Sequence, residues 1–308
     1  EKKAEFDEVS IIGGGSAGLT AGIYCGRAKL KTLIIEKSLV GGLATYTSEI
    51  ANYPGFPDSI DGLDLMNRFQ KQAKNFGVSF KLTDVKSVKL SDKIKEVETF
   101  RNIYKTKAVI IATGGKPRLT KALNEEKFLY DKGISFCATC DAAANSGKTV
   151  LVVGSGDSAI EEAIFLTKFA KKVIISVLHD KGIMDCNQIA RDNALSNEKI
   201  EFIWNTEVHS FESKNEHLET VNLKDTRTSD LIPVNVDTCF LFIGYLPNTE
   251  IFKEYVDMTP EGYIITNEKM ETNIEGVYCV GDVRNKYLRQ VATAVGDGAT
   301  AGYCVEKY

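Results

Sequence analysis

The fold of this chain is decided by the stretch Val9-Ser10-Ile11-Ile12-Gly13-Gly14-Gly15-Ser16-Ala17-Gly18. An apolar strand runs into a turn with glycines at positions 13, 15 and 18, and an apolar segment of helical character follows. Glycines at this spacing permit a tight turn, close approach of the backbone to a pyrophosphate, and close packing of helix on strand. The helix N-terminus then offers N–H donors to the phosphates. The stretch therefore predicts a strand, turn and helix that bind a dinucleotide.

A second apolar strand, Thr32-Leu33-Ile34-Ile35, ends in Glu36. A carboxylate about 20 residues after the glycine turn can accept hydrogen bonds from the ribose hydroxyls of an adenosine. The glycine turn alone is weak evidence, because a βα turn without a ligand has the same pattern. The turn and the carboxylate together favour nucleotide binding.

The centre of the chain repeats the opening pattern. Thr149 to Val153 is an apolar strand, and Gly154-Ser155-Gly156-Asp157-Ser158-Ala159 is a second glycine turn before a helical segment at 160–169. The next strand, 172–178, delivers His179-Asp180-Lys181. Two strand-turn-helix units in one chain predict an α/β protein with two dinucleotide sites.

Between the two turns lies Cys137-Ala138-Thr139-Cys140-Asp141. Two cysteines at this spacing can close into a disulfide, and the start of a helix lowers the pKa of a thiolate. Asp141 is a candidate proton carrier. The alternative is half of a zinc site, which usually needs a second pair of Cys or His ligands. The other five cysteines and the three histidines are scattered, so redox chemistry is favoured and no metal is expected.

Composition limits the possible functions. The chain has 308 residues, enough for two domains, with a net charge of -4 and a pI of about 5.6. This charge and the lack of a basic block disfavour nucleic-acid binding. No apolar run reaches the ~18 residues that span a bilayer, and no secretory segment opens the sequence, so no membrane association is expected. Seven dispersed cysteines predict a reducing, cytoplasmic location.

Other segments leave alternatives open. The Gly- and Pro-rich stretch 40–57 either wraps part of a large ligand or is a surface loop. The segments near 200–204, 208–212, 218–223 and 231–236 are predicted as antiparallel strands. Near the C-terminus, the strand end at Gly281-Asp282 and the helix start at Arg289-Gln290-Val291 can bind ligand hydroxyls and a carbonyl oxygen, or can serve close packing only.

Together these motifs resemble the low-molecular-weight thioredoxin reductases. The resemblance rests on both glycine turns, a Gly-Gly loop followed by Asn52-Tyr53-Pro54-Gly55, the strand end Ala112-Thr113-Gly114, the Cys-Ala-Thr-Cys-Asp stretch, and Gly281-Asp282-Val283 with Arg289-Gln290-Val291. It covers essentially the whole chain. A Cys-x-x-Cys pair between two nucleotide motifs is close to unique to this family and its near relatives.

The resemblance implies a homodimeric flavoprotein with two Rossmann-like, three-layer ββα domains, the second inserted into the first. The FAD domain would comprise residues 1–116 and 246–308, and a pyridine-nucleotide domain, residues 117–245, would carry the disulfide. Cys140 would be the cysteine nearer the flavin, Cys137 would attack the disulfide of thioredoxin, and Asp141 would protonate the outgoing thiolate. Hinges are expected where the chain crosses between the domains, near 116–117 and 244–247.

The resemblance also implies which residues bind the cofactors. Those expected at FAD are Gly13, Gly15, Ser16, Ala17, Gly18, Glu36, Lys37, Gly41, Gly42, Asn52, Thr113, Gly114, Gly281, Asp282, Arg289, Gln290 and Val291. Those expected at NAD(P) are Gly154, Gly156, Asp157, Ser158, Ala159, His179, Asp180 and Lys181.

One window departs from the family pattern. The family's signature for the NADPH 2'-phosphate is His-Arg-Arg-x-x-x-Arg, whereas this chain has His179-Asp180-Lys181 and, at the last arginine position, Asp185. A carboxylate repels a phosphate but accepts a hydrogen bond from a ribose 2'-hydroxyl, as in NAD sites. The electron donor is therefore NADH, NAD(P)H used without selectivity, or a ferredoxin or flavoprotein that feeds the FAD. The retained glycine turn favours a nicotinamide.

The predicted function is reduction of thioredoxin, or a thioredoxin-like protein, through FAD and the Cys137–Cys140 disulfide. Two alternatives belong to other classes. A flavin redox sensor without turnover would form the disulfide but would not reduce thioredoxin catalytically. A zinc-stabilised binding module would be colourless and would contain metal.

Overall fold

A computed structural model describes residues 2–46 and 50–308. Glu1 and residues 47–49, which fall within the predicted domain segment 1–116, lie outside the described residues. The chain forms two compact units, one of residues 1–116 and 246–308 and one of residues 117–245.

Residues 2–46 and 50–117 contain two helices and seven strands. They are β1 (Lys3–Ile12), α1 (Ser16–Arg27), β2 (Thr32–Glu36), α2 (Gly62–Asn75), β3 (Ser79–Leu82), β4 (Val85–Lys89), β5 (Lys95–Thr99), β6 (Asn102–Ile111) and β7 (Gly115–Pro117), with a 3-10 turn at Gly42–Tyr46.

The rest of the chain contributes the remaining elements. They are β8 (Ile134–Ser135), α3 (Ala138–Asp141), β9 (Thr149–Val153), α4 (Asp157–Leu166), β10 (Lys172–Val177), α5 (Gln188–Leu195), β11 (Ile200–Trp204), β12 (Thr206–Glu212), β13 (Thr220–Asp225), β14 (Leu231–Asn235), β15 (Thr238–Leu241), β16 (Tyr245–Pro247), β17 (Val277–Cys279) and α6 (Val291–Lys307). β16 pairs with β7 in a two-stranded sheet where the chain passes between the units.

The first unit is built on one seven-stranded sheet. Its order is β3-β2-β1-β6-β5-β4, and β17 also pairs with β6. β1, β2, β3, β6 and β17 are parallel, whereas β4 and β5 pair antiparallel. Alternate residues of the central strands feed two apolar clusters, one of which packs α1, α2 and α6 on the sheet. Burial on both faces accounts for the continuous apolar runs of β1 and β2.

The second unit contains a five-stranded parallel sheet, β11-β10-β9-β15-β8, and a three-stranded antiparallel sheet, β12-β13-β14. Parallel sheets that end in helix starts put ligand-binding turns at the carboxyl ends of the strands. The predicted α/β class with two dinucleotide-binding folds is confirmed.

The prediction for Ile200–Trp204 is wrong. This strand was expected to be antiparallel, but it lies parallel to β10, with Val173 opposite Ile200. The cause is α5, an unpredicted helix between the two strands, because a parallel pair needs a crossover connection. α5 has eight residues and buries only Ala190 and Ala194, so its apolar periodicity is weak. Its one local signal is the N-cap Asn187, whose side chain accepts from the Ala190 N–H at 2.9 Å.

Candidate active site

The two cysteines of the Cys-x-x-Cys stretch form a disulfide, Cys137–Cys140. Cys137 is the N-cap of α3, and its sulfur accepts from the Cys140 N–H at 3.2 Å. α3 has only four residues before the chain continues as a 3-10 turn, so its dipole is small. A Cys137 thiolate would therefore be stabilised by the Cys140 N–H rather than by the dipole of a long helix.

A serine that the sequence analysis did not single out holds this turn. The Ser135 hydroxyl accepts from the Cys137 N–H at 3.2 Å and donates to the Asp141 carboxylate. Asn145, which is buried, donates from its amide nitrogen to the Asp141 carbonyl at 2.8 Å. These bonds fix Asp141 next to the disulfide. Ser135 lies six residues before Asp141, and no spacing rule predicts a contact across an irregular turn.

The first glycine turn depends on backbone contacts that only glycine permits. Gly13 has φ +108°, and a Cβ at this position would lie 2.1 Å from the Ala112 carbonyl oxygen. A Cβ on Gly18 would lie 2.0 Å from the Gly13 carbonyl oxygen. Gly15 is the N-cap of α1, and a Cβ added at Gly15 would have its nearest neighbour, the Gly41 carbonyl oxygen, 3.9 Å away. The turn is thus closed toward the sheet and open at the helix start, where Ser16 and Ala17 begin α1.

Glu36 ends β2 beneath this turn. It is buried, and its Oε2 accepts from the Gly14 N–H at 2.8 Å, while its Oε1 accepts from the Ser38 N–H at 3.0 Å. Oε1 also accepts from the Ser38 hydroxyl at 3.4 Å, whereas Oε2 keeps a further acceptor site. Glu36 can therefore organise the turn and still accept hydrogen bonds from ribose hydroxyls. Its neighbour Lys37 is exposed.

The Gly41–Gly42 loop lies on the same turn. The Gly41 N–H donates to the Gly14 carbonyl at 2.7 Å, and a Cβ on Gly42 would be 3.2 Å from the Gly15 Cα. The structure thus brings the loop to the glycine turn, which favours the ligand-wrapping interpretation of this part of the 40–57 stretch over that of an uninvolved surface loop.

Asn52 and Gln290 also meet, although 238 residues separate them. Asn52 donates from Nδ2 to the Gln290 Oε1 at 3.1 Å. Gln290 is the N-cap of α6 and shares a capping box with Thr293. Val291, the first residue of α6, follows it, so this helix start presents backbone N–H groups beside Asn52.

At the end of β6, Thr113 is tied to another segment of the same unit. The Thr113 hydroxyl donates to the Asn248 carbonyl at 2.7 Å, and Asn248 donates from Nδ2 to the Thr113 carbonyl at 3.0 Å. The Asn248 N–H donates to the Gly114 carbonyl at 2.9 Å. Thr113 and Gly114, the two predicted site residues at this strand end, are therefore both hydrogen-bonded to Asn248.

Asp282 is the one predicted site carboxylate with a buried, unsatisfied oxygen among the residues that the structure describes. Its Oδ1 is buried and has no hydrogen-bond partner within residues 2–46 and 50–308. Burial raises the pKa of the Asp282 carboxyl, and Lys286 and Arg289 oppose this shift. A buried carboxyl oxygen without a partner is costly. A hydroxyl donor such as the ribityl chain of FAD would satisfy it, so this residue fits the flavin.

Arg289 supports Asp282 from the side. Its Nε donates to the Asp282 carbonyl at 3.0 Å, and its guanidinium carbon lies 4.0 Å from the centroid of the Tyr263 ring. Gly281, with φ +78°, comes close to α1, because a Cβ here would lie 2.9 Å from the Ala17 Cβ. The predicted residues at 17 and 281 are thus adjacent.

The second glycine turn has the same backbone geometry. Gly154 has φ +131°, and a Cβ there would lie 2.4 Å from the Phe242 carbonyl oxygen and 3.2 Å from the Ala159 Cβ. Gly156 is the N-cap of α4, followed by Asp157, Ser158 and Ala159. A Cβ on Gly156 would have no neighbour within 4 Å. This helix start is open.

Two acidic side chains, Asp157 and Asp185, lie around the second turn, and each is hydrogen-bonded to neighbouring residues. Asp157 Oδ1 accepts from the Asn187 N–H at 2.6 Å and from the Asn187 Nδ2 at 2.8 Å. Asp185 Oδ2 accepts from the Ser155 hydroxyl at 3.1 Å and lies 2.9 Å from the His179 Nε2. The hydrogen bonds from His179 and then Ser155 lower the pKa of Asp185. Two carboxylates therefore border the turn where a pyrophosphate would bind.

Asp180 and Lys181 are exposed in this window. The structure brings His179 to the turn through Asp185, a residue outside the predicted NAD(P) set. The signal for Asp185 was present in the sequence, since it stands at the last arginine position of the family's NADPH signature.

Two further observations concern the alternatives. In the described ranges, no three His, Cys, Asp or Glu side chains are grouped so that they could hold a metal ion. Likewise, none of the helices in the part of the chain that the structure describes is long and apolar enough to cross a bilayer.

Comparison with known proteins gives full-length similarities. Residues 7–298 match the family described as pyridine nucleotide-disulphide oxidoreductase. The chain is 42% identical over 302 residues to the "34.2 kDa protein in rubredoxin operon" of Clostridium pasteurianum, covering 98% of this chain and 96% of that protein. It is 41% identical over 301 residues to the thioredoxin reductase of Bacillus subtilis, covering 98% and 94%. The crystal structure of thioredoxin reductase from Streptococcus pyogenes superimposes with a TM-score of 0.92 at 38% identity, covering 98% of each chain.

Proposed function

We propose that this chain, which belongs to the pyridine nucleotide-disulphide oxidoreductase family, reduces the disulfide of thioredoxin or a thioredoxin-like protein. Within that family it belongs to the low-molecular-weight thioredoxin reductases and is an FAD-dependent oxidoreductase. The observation that carries the proposal is the Cys137–Cys140 disulfide next to Asp141, in a chain similar over 98% of its length to thioredoxin reductases. We further propose that it works as a homodimer in the cytoplasm.

The exchange chemistry follows from the dithiol. In the reduced protein, the Cys137 thiolate attacks one sulfur of the thioredoxin disulfide and forms a mixed disulfide, while the other thioredoxin sulfur leaves as a thiolate. Asp141 gives that thiolate a proton. The Cys140 thiolate then attacks Cys137, which releases reduced thioredoxin and re-forms the Cys137–Cys140 disulfide. The Ser135 hydroxyl, which contacts both Asp141 and the Cys137 N–H, keeps these groups together.

The first unit is proposed as the FAD domain and the second as the domain that carries the disulfide. FAD supplies the electron pair that reduces the disulfide. The glycine turn at 13–18 would hold its pyrophosphate, Glu36 its adenosine ribose, and Asp282 its ribityl hydroxyls. The unsatisfied Asp282 oxygen and the open start of α1 support this assignment.

The donor most favoured by the retained second turn is a nicotinamide, because Gly156 leaves the start of α4 open to a phosphate. Asp180 then favours NADH over NADPH, since a carboxylate can accept from a ribose hydroxyl and repels a 2'-phosphate.

A second candidate is the same reductase fed by a reduced ferredoxin or another flavoprotein. The specific observation in its favour is the position of Asp157 and Asp185. Both border the second turn, so a pyrophosphate would bind beside two carboxylates. These carboxylates are already hydrogen-bonded to Ser155, His179 and Asn187. Negative charges beside the turn oppose the binding of a pyrophosphate.

Anaerobic mixing tests the donor and the function together. The oxidised protein is mixed in turn with NADH, NADPH and reduced ferredoxin, and bleaching of the flavin absorbance is followed. We expect NADPH to be the weaker nicotinamide, and thioredoxin thiols to appear when thioredoxin is added. Bleaching by ferredoxin alone would select the second candidate. Bleaching without reduction of thioredoxin would contradict the function and would favour a redox sensor.

A further inference from the structure

Asn145 joins the disulfide turn to the framework of the second unit. Its Nδ2 donates to the Asp141 carbonyl at 2.8 Å, and Asp141 is the last residue of α3, the short helix that carries Cys140. The Asn145 backbone N–H bonds instead to the Ala142 carbonyl, at 3.1 Å. The side-chain amide therefore takes the place of the helical bond between residues 145 and 141, and it caps the C-terminal end of α3.

The framework end of this link is itself held in place. The Asn145 carbonyl accepts from the Lys148 N–H at 3.1 Å, and β9 begins at the next residue, Thr149. The Gly147 N–H donates at 3.0 Å to the carbonyl of Phe169, which follows α4. Asn145 thus ties the disulfide turn to the start of β9 and to the segment after α4.

Two side chains hold Asp141, one from each side in the sequence. Ser135, the last residue of β8, donates to the Asp141 carboxylate, whereas Asn145 donates to the Asp141 carbonyl. The first bond acts on the group proposed as the acid, and the second acts on the backbone that follows Cys140. Once the disulfide is reduced, no covalent bond keeps Cys137 next to Cys140. The hydrogen bonds of the turn then set the separation of the two thiols.

The amide that forms this cap also has an unpaired oxygen. Asn145 is 4% exposed, and its Oδ1 is buried without a hydrogen-bond partner in the part of the chain that the structure describes. A buried acceptor without a partner is unfavourable. The opposite orientation of the amide would point Oδ1 at the Asp141 carbonyl, which is also an acceptor. The fold therefore retains the bond to Asp141 together with an unpaired oxygen, which points to a use of this side chain beyond stability.

We propose that Asn145 is a positioning residue that sets the reduction potential of the Cys137–Cys140 disulfide. The proposal deepens the proposed function and rests on it, since it concerns the dithiol that exchanges with thioredoxin. Holding the end of α3 keeps the two thiols of the reduced protein together, which raises the effective concentration of one at the other. A higher effective concentration favours the disulfide, so the dithiol is a stronger reductant. Loss of the cap makes the disulfide easier to reduce.

The test equilibrates the full chain with mixtures of reduced and oxidised dithiothreitol. Dithiothreitol gives two electrons and two protons to the S–S bond and closes its own disulfide, and mass spectrometry after alkylation counts reduced Cys137 and Cys140. Asn145→Leu, which is similar in size and has no donor, should shift the equilibrium about tenfold toward the dithiol, a rise of about 30 mV in potential. Asn145→Ser should stay within about twofold of the wild type, because a serine hydroxyl can donate to the carbonyl four residues earlier.

Ser146→Ala is the matched control. The Ser146 hydroxyl donates to the Ala143 carbonyl at 2.9 Å, so this variant removes the same kind of bond one residue later, at an exposed position and from a carbonyl outside α3. Its equilibrium with dithiothreitol should match that of the wild type. Urea unfolding is followed in parallel, because a cap that only stabilised the fold would lower the unfolding midpoint and leave the potential unchanged.

An Asn145→Leu equilibrium that stays at the wild-type value, or a shift that Ser146→Ala reproduces, would overturn the proposal. If Asn145→Leu does not fold, Asn145→Ala measured against Asn145→Ser supplies the contrast, because these two variants differ by one hydroxyl donor. A wild type that exchanges with dithiothreitol but does not reduce thioredoxin would overturn the proposed function. Unshifted variants of a wild type that reduces thioredoxin would overturn this inference alone.

Discussion

The two glycine turns have one backbone design and different surroundings. In each, a glycine with positive φ touches a backbone carbonyl, Ala112 for Gly13 and Phe242 for Gly154, and a parallel strand leads into a helix. Around the first turn, the buried Glu36 holds Gly14 and leaves the helix start open. Around the second, Asp157 and Asp185 border the turn. The second turn therefore keeps the backbone geometry of a phosphate site but lacks the positive charge expected there. Backbone geometry and charge must be assessed separately.

The largest expected effect concerns the backbone of the first turn. Gly18→Ala places a Cβ 2.0 Å from the Gly13 carbonyl oxygen, whereas Gly156→Ala meets nothing within 4 Å. We expect Gly18→Ala to lower the free energy of unfolding by about 3 kcal/mol and to impair FAD retention. Gly156→Ala should change it by less than about 1 kcal/mol. Urea unfolding and flavin absorbance measure both. Equal losses in the two variants would contradict the difference in packing between the turns.

The next effect concerns charge at the second turn. Asp180→Arg with Asp185→Arg replaces two repelling carboxylates by guanidinium groups that suit a phosphate. We expect NADPH to bind at least ~10-fold more tightly, which corresponds to about 1.4 kcal/mol. Quenching of NADPH fluorescence measures the affinity, and Asp230→Arg, an exposed site in the same unit, is the matched control. An NADPH affinity no better than that of the control would show that charge is not what limits this turn.

A smaller effect is expected at the dithiol, where we place the chemistry of the second unit. The Ser135 hydroxyl donates to Asp141 and so favours its ionised form. Ser135→Ala removes this hydrogen bond, so the ionised form of Asp141 loses a partner. If Asp141 acts as the acid, the fall in thioredoxin reduction at high pH should move to higher pH. Ser135→Thr keeps the hydroxyl and should keep the wild-type profile. A profile that Ser135→Ala leaves unmoved would remove Ser135 from the mechanism.

The smallest effect is the acid dependence of the second turn. Hydrogen bonds from His179 and Ser155 lower the pKa of Asp185 below its ordinary value of 3.8. Because the folded pKa is the lower one, this stabilisation is fully present above that ordinary value and is lost as the pH falls through the lowered pKa. Asp185 is exposed, so its contribution should not exceed about 1 kcal/mol. Urea unfolding of the wild type and Asp185→Asn should differ at pH 7 and converge under strong acid. A difference that persists in acid would contradict this assignment.

Much of the architecture could be predicted from local sequence. The strands that precede each glycine turn are buried on both faces, so their apolar runs stand out, and the glycines that follow them are required by contacts of the backbone. The same holds for the Cys137–Cys140 pair, because three residues suffice to close it. Each of these features is set by neighbours in the chain.

What could not be predicted depends on partners far away in the chain. The direction of Ile200–Trp204 is set by a short helix with little apolar periodicity. The contact of Asn52 with Gln290 spans 238 residues. Lys286 and Asp297 are ordinary charged residues in the sequence, and only the fold brings them together as a largely buried ion pair. Ser135 lies next to the predicted residues but contacts them across an irregular turn.

The most direct test of the account is transfer of electrons from the reduced protein without any natural donor. The wild type and the double variant Cys137→Ser/Cys140→Ser are reduced anaerobically with dithionite, freed of excess reductant, and mixed with oxidised thioredoxin while new thioredoxin thiols are counted. We predict that the wild type yields them in stoichiometric amount, and that the variant keeps its yellow flavin and yields only background. Equal yields from both proteins would contradict transfer through the Cys137–Cys140 disulfide.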